Sequence, residues 1–222
     1  MRLAGEIMAA GMTCVSDLKQ KIFQMVTQEK PMRILETGTY LGTGSTRAFV
    51  DAAISSGHSL QFHTIEVNEG HFELARKNLS DALLNFKCSF YMWNGLSVPA
   101  SLIPSEIDVD FPESVITDSF DESFYHNEIV GFIQDDCISK AILAMGGFPD
   151  MILLDSAGHM GTIEFCHLMS LHDGITPFTL ILDDTMHRKH YKTMELVRKD
   201  KSFKILHESE SKFGFAIIQF KP

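Results

Sequence analysis

Five apolar runs recur along the chain: MRILET from Met32, FHTIEV from Phe62, KCSFYMW from Lys87, MILLD from Met151 and TLILDD from Thr179. Each is nearly uniform in hydrophobicity, as expected of parallel strands buried on both faces, and helix-period segments separate most of them. The pattern predicts a leading helix over Val15 to Glu29, with Leu18, Ile22, Phe23 and Met25 as its apolar stripe. Further helices are predicted over Ser45 to Ser55, Glu69 to Leu84 (Phe72, Leu74, Ala75 and Leu79 inward), Gly161 to Leu171 and Lys189 to Arg198. FKILHES and FGFAIIQF close the chain around a short polar turn, so they pair antiparallel. Strands alternating with helices give an α/β class with a doubly wound sheet and helices on both faces.

The connection from Gly95 to Gly147 is too long for a structureless loop. Its second half, Glu122 to Met145, can carry the crossover helix through Ile129, Ile133, Cys137, Ala141 and Met145. Its first half holds Pro99, Pro104 and Pro112 among acids and large apolar residues, and reads as an acidic flap insert over about 96–121, above the carboxyl edge of the sheet. No linker-like composition interrupts residues 1–222, so a single domain is expected, with an N-terminal helical segment over about 1–30.

Charge is uneven. The net charge is −10, and no Lys or Arg lies between Lys87 and Lys140 while ten acids do. That face repels a nucleic-acid backbone. Cys14, Cys88, Cys137 and Cys166 form no C-x-x-C pair and read as reduced thiols of a cytoplasmic protein. Glu6 breaks the only signal-like stretch, and no apolar run approaches the roughly 20 residues that cross a bilayer. No membrane partner is expected, and the N-terminal helix can pack against a second copy.

In open parallel sheets the ligand lies outside the carboxyl ends of the strands, so the polar residues there are the candidates. The first strand runs into a glycine turn, ETGTYLGTGST, with Glu36, Gly38, Thr39, Tyr40, Gly42 and Ser45. It lacks the lysine of a phosphate-binding loop and the G-x-G-x-x-G spacing of dinucleotide binders. Glu66 ends the second strand, where a carboxylate can accept both ribose hydroxyls or cap the next helix. Asn94 ends the third, placed for an adenine edge or an ordinary turn. Asp155 ends the fourth and Asp183–Asp184 the fifth. Three converging carboxylates need a raised pKa or a bound cation, and hard oxygen ligands suit Mg²⁺. His159 can act as general base or cap a helix, and the roles of His187 and His190 stay open.

Taken together, these residues resemble the class I S-adenosylmethionine-dependent methyltransferases, specifically the small metal-dependent O-methyltransferases related to catechol O-methyltransferase and to bacterial sugar and natural-product enzymes. The resemblance runs from about residue 31 to the C-terminus. It rests on the E-x-G-x-x-x-G turn at Glu36, the acid Glu66, the aspartate Asp155 and the pair Asp183, Asp184. It implies a Rossmann-like sheet, mostly parallel, with an antiparallel seventh strand from the C-terminal hairpin. It also implies S-adenosyl-L-methionine held by Glu36, Gly38, Thr39, Tyr40, Gly42, Ser45, Glu66 and Asn94. Mg²⁺ would be held by Asp155, Asp183 and Asp184, with Asp155 and His159 catalytic in O-methylation of a small-molecule hydroxyl. The chain departs from the catechol-type pattern where the base lysine would stand, at Gly158, with His159 one further. Metal-independent methyl transfer, an NAD(P)-linked oxidoreductase and a non-catalytic nucleoside-binding module are the alternatives.

Overall fold

The computed structural model describes residues 16–103, 112, 115, 129, 131–158 and 160–222. In chain order its elements are α1 (Ser16–Glu29), β1 (Arg33–Thr37), α2 (Ser45–Ser56), β2 (Gln61–Glu66), α3 (Glu69–Leu83) and β3 (Ser89–Asn94). A short 3-10 turn (Ala100–Leu102) leads on to α4 (Cys137–Met145), β4 (Met151–Leu154), α5 (Met160–Leu171) and β5 (Phe178–Asp183). The chain ends with α6 (Arg188–Lys199), β6 (Phe203–Ser209) and β7 (Phe215–Phe220). Residues 1–15 of the expected N-terminal segment and most of the expected flap lie outside the described residues.

The seven strands form one sheet in the order β3-β2-β1-β4-β5-β7-β6. β1 to β5 are parallel, and β7 runs antiparallel between β5 and β6 with Phe215 opposite Asp183. This is the expected Rossmann-like, doubly wound sheet. Successive strand residues feed opposite cores, because side chains alternate across a pleated strand. Ile34, Met151, Leu153 and Ile181 enter one core with α1, α2 and α3. Leu35, Ile152, Leu154, Leu180 and Leu182 enter the other with α4, α5 and α6. Covering both faces explains the unbroken apolar runs of β1, β2, β4 and β5, whereas β3, expected to be buried on both faces, lies at the sheet edge only partly buried, with Tyr91 exposed. Each fully buried Leu, Ile or Phe contributes roughly 1.5–3 kcal/mol relative to exposure.

Two local expectations are corrected. In α1 and α3 the stripe is shifted: Phe23 and Leu74 are exposed, while Val26 and Ala82 are buried. The crossover helix starts only at Cys137, and Ile133 is exposed ahead of it. Asp136 sets that start: it takes a left-handed conformation (φ 51°) and its carboxylate accepts from Ser139 N. His167 Nε2 meets the same carboxylate oxygen at 2.9 Å, fixing the cap against α5. Residues 122–128 and 130 of that expectation lie outside the described residues. Among the described residues no helix is long and apolar enough to cross a membrane.

Strand order reverses between β1 and β4, where the chain steps from one flank of β1 to the other. The carboxyl ends of β1 to β5 therefore open beside that crevice, the position at which such sheets take ligands.

Candidate active site

The glycine turn leaves β1 at Gly38, whose φ of 81° is open to glycine without strain. A Cβ at Gly38 would stand 2.7 Å from the carbonyl carbon of Asp155, and one at Gly42 (φ 68°) 3.0 Å from Leu79 of α3. Both glycines thus serve close protein packing, the first by letting the turn lie on the end of β4. Tyr40, also left-handed at φ 49°, is held by its N–H, which donates to Glu66 Oε2 at 2.6 Å. Glu66 Oε1 accepts from Asn68 N at 2.9 Å, so this carboxylate ties the turn to the entry of α3 as well as ending β2. Asn94 stands opposite Glu66 in the β2–β3 register, and its Oδ1 is buried without a partner among the described residues.

Glu36 is fully buried at the end of β1. Its Oε2 accepts from Thr46 Oγ1 (2.7 Å) and Thr64 Oγ1 (2.8 Å), while Oε1 accepts nothing from the protein among the described residues. Burial outweighs the hydroxyls of Ser45, Thr46 and Thr64 and pushes its pKa up to about 7. Thr39 braces the arrangement through a 2.5 Å hydroxyl contact with Thr64, and Ser45 opens α2 buried beside the same carboxylate.

Across the crevice the structure brings Asp155, Asp183 and Asp184 together, around a residue that sequence reasoning missed. Lys189 Nζ donates to Asp155 Oδ1 and to Asp184 Oδ2, both at 2.7 Å, with its side chain only 7% exposed. Burial disfavours the ammonium, but Asp155, Asp184 and Asp183 outweigh it and raise the Lys189 pKa well above its ordinary value. Burial likewise acts against ionised Asp184, yet the charge and hydrogen bond of Lys189 hold it below the ordinary carboxylate range. Asp155 is raised, chiefly by burial. Asp183, buried and facing Asp155 and Asp184, is pushed up to about 8, and its Oδ1 accepts from Asp184 N at 3.0 Å. That bond steadies Asp184 at φ 60°, a left-handed conformation that aspartate tolerates better than most residues.

A supporting layer lies beneath. Asp155 N donates to Thr37 Oγ1, and Thr37 Oγ1 donates to Glu164 Oε2 at 2.8 Å. Ser156 Oγ donates to Glu164 Oε1 at 2.6 Å, so α5 fastens the ends of β1 and β4 through one buried carboxylate. His190 is structural. Burial pushes its pKa down to about 3, and its Nε2 donates to Leu154 O at 3.0 Å. His187 caps α6 by accepting from Lys189 N through Nδ1. The expected base His159 lies outside the described residues.

The expected three-aspartate magnesium centre is not formed as such: among the described residues no group of three or more His, Cys, Asp or Glu is arranged to hold a metal. The carboxylates converge as foreseen, but Lys189 stands between two of them. The sequence offered no more than a weak hint of it, a lysine in the first turn of a helix, where the helix dipole disfavours a cation slightly.

No protein-family model and no curated protein matches the sequence. Solved structures do match in shape. The O-methyltransferase TomG from Streptomyces achromogenes, solved with SAM, superposes with a TM-score of 0.58 at 13% identity, over 95% of this chain and 82% of its own. An O-methyltransferase from Bacillus cereus, solved with SAH, gives 0.58 at 16% identity over 98% and 90%. The Podospora anserina methyltransferase PaMTH1, bound to SAH, gives 0.58 at 12% identity over 96% and 82%. At these identities the likeness establishes a shared fold.

Proposed function

We propose that this chain is an S-adenosylmethionine-dependent methyltransferase acting on a hydroxyl of a small molecule. One observation supports this above the others: the buried strand-end atoms left without a partner among the described residues, Glu36 Oε1, Asn94 Oδ1 and Asp184 Oδ1, are all acceptors. S-adenosylmethionine presents the complement, an ammonium, ribose hydroxyls, an adenine amine and a sulfonium charge. Glu36 would face the ammonium, Glu66 the ribose and Asn94 the adenine, beside the backbone of Gly38 to Ser45. A pyrophosphate would meet Glu36, Glu66, Asp155, Asp183 and Asp184, with Lys189 already committed to two of them and Lys212 adding only its longer-range charge, which disfavours a dinucleotide. The solved structures of the same fold that hold SAM or SAH agree with this reading.

When bound, the cofactor supplies an electrophilic methyl: the acceptor oxygen bonds to carbon, the sulfur keeps the pair of the broken S–C bond, and the acceptor proton departs. The protein aligns the reacting atoms, which supplies much of the rate in such displacements. Asp155, at the end of β4 and joined to Lys189, is the carboxylate assigned here to take the proton. Magnesium does not fit the aspartates as they stand, because the Lys189 ammonium already occupies the space between Asp155 and Asp184. A neutral or cationic acceptor suits the remaining negative charge.

Calorimetric titration with S-adenosylmethionine and, separately, NADH tests the reading. Binding of the first without the second is expected. Tight NADH binding with no S-adenosylmethionine binding would overturn it.

A further inference from the structure

We infer that Lys189 is the resident cation of this site, taking the place a divalent ion holds in metal-dependent enzymes, so that methyl transfer here requires no metal. The inference rests on the methyltransferase reading for its part in turnover, and on geometry alone for its part in excluding a metal. Three independent features build the lysine into the site. Its Nζ lies 2.7 Å from both Asp155 and Asp184, and the residue is buried. Asp184 accepts a left-handed backbone in the arrangement that joins its carboxylate to Lys189. Gly161 of α5 leaves the room: a Cβ there would stand 2.8 Å from Lys189 Cγ and closer still to the ring of His190.

The chemistry differs from that of a metal in one consequential way. An ammonium has three N–H donors, and two are committed to the aspartates. One donor remains, enough to orient a single acceptor oxygen and to favour its anionic form. A magnesium ion with several open positions rewards two adjacent hydroxyls; a single N–H does not. The acceptor class is therefore an isolated, fairly acidic hydroxyl such as a phenol, with no need for a vicinal partner.

Mn²⁺ is the probe, followed by electron paramagnetic resonance on the whole wild-type chain and on Lys189→Met and Asp184→Asn. Wild type is expected to leave the free-ion spectrum unchanged and to turn over equally with and without EDTA. Lys189→Met, which bares the carboxylates, is expected to bind Mn²⁺ about tenfold more tightly or better. A wild-type chain that binds Mn²⁺ and loses it in Asp184→Asn overturns the inference, as does turnover abolished by EDTA and restored by Mg²⁺. If Lys189→Met does not fold, the wild-type and Asp184→Asn spectra decide. S-adenosylmethionine titration is run in parallel: failure to bind removes the methyltransferase reading and leaves the Mn²⁺ result to stand by itself.

Discussion

Lys189 Nζ donates to Asp155 Oδ1 across 2.7 Å, joining the first turn of α6 to the end of β4. The same nitrogen reaches Asp184, so one cation compensates two buried carboxylates. Removing a single member of such a group leaves charge buried and uncompensated, which costs about 3–5 kcal/mol. Lys189→Met is expected to lose stability on that scale in guanidinium denaturation near neutral pH. A loss under about 1 kcal/mol would mean that the pair is as weak as a surface salt bridge.

Gly161→Ala makes a sharper test of the same packing. In an open helix the exchange favours folding by about 0.8–1 kcal/mol. Here the new methyl would press on Lys189 Cγ and on the His190 ring. Overpacking typically costs about 1–3 kcal/mol, so the steric term wins and the melting temperature falls. A rise in melting temperature would show that α5 and α6 separate without penalty.

Glu66 carries three loads, the 2.6 Å bond from Tyr40 N, the 2.9 Å bond from Asn68 N and the expected ribose contact. Glu66→Gln removes the charge and keeps one acceptor, for Tyr40 N, at the expense of the bond from Asn68 N. A hydrogen bond to a charged group is worth about 1.5–3 kcal/mol, so S-adenosylmethionine affinity is expected to weaken by roughly ten- to a hundredfold. Circular dichroism should stay unchanged. Unaltered affinity by calorimetry would confine Glu66 to bracing the turn.

The strands were legible because burial on both faces writes itself as unbroken apolar runs, and the carboxylates because each stands at the end of such a run. Glu36, Glu66, Asp155, Asp183 and Asp184 all follow from that rule, and the structure puts every one at the carboxyl edge. Lys189 was barely legible for a physical reason. Five residues beyond Asp184 and on a helix, it reads locally as a solvated cation, and only the fold sets the start of α6 over the end of β4. The glycines hid a tertiary contact in a related way. Gly38 and Gly42 read as a turn beside a ligand, and the fold adds a second demand for glycine there, since a Cβ would press on Asp155 and Leu79 of the chain itself. The late start of α4 was hidden because Asp136 needs both Ser139 and the distant His167 to form its cap.

Glu36 makes the site sensitive to pH. Its pKa in the folded chain is about 7 against an ordinary 4.5. A raised carboxyl pKa contributes stability that is full below about 4.5 and lost as pH rises through about 7. The ligand-free chain is therefore expected to become less stable across that window, and Glu36→Gln to flatten the trend from this group. Asp183, pushed up to about 8 from 3.8, continues the same decline to higher pH in both proteins. Cofactor binding should run the other way. An ammonium facing Glu36 Oε1 favours the ionised carboxylate, so binding releases a proton below pH 7 and affinity rises until the group is ionised in the free chain. Calorimetry at several pH values in buffers of different ionisation enthalpy reads both quantities. The expected result is S-adenosylmethionine affinity that climbs with pH and levels off above about 7, with the slope abolished in Glu36→Gln. An affinity independent of pH in the wild-type chain would remove Glu36 from contact with the ammonium.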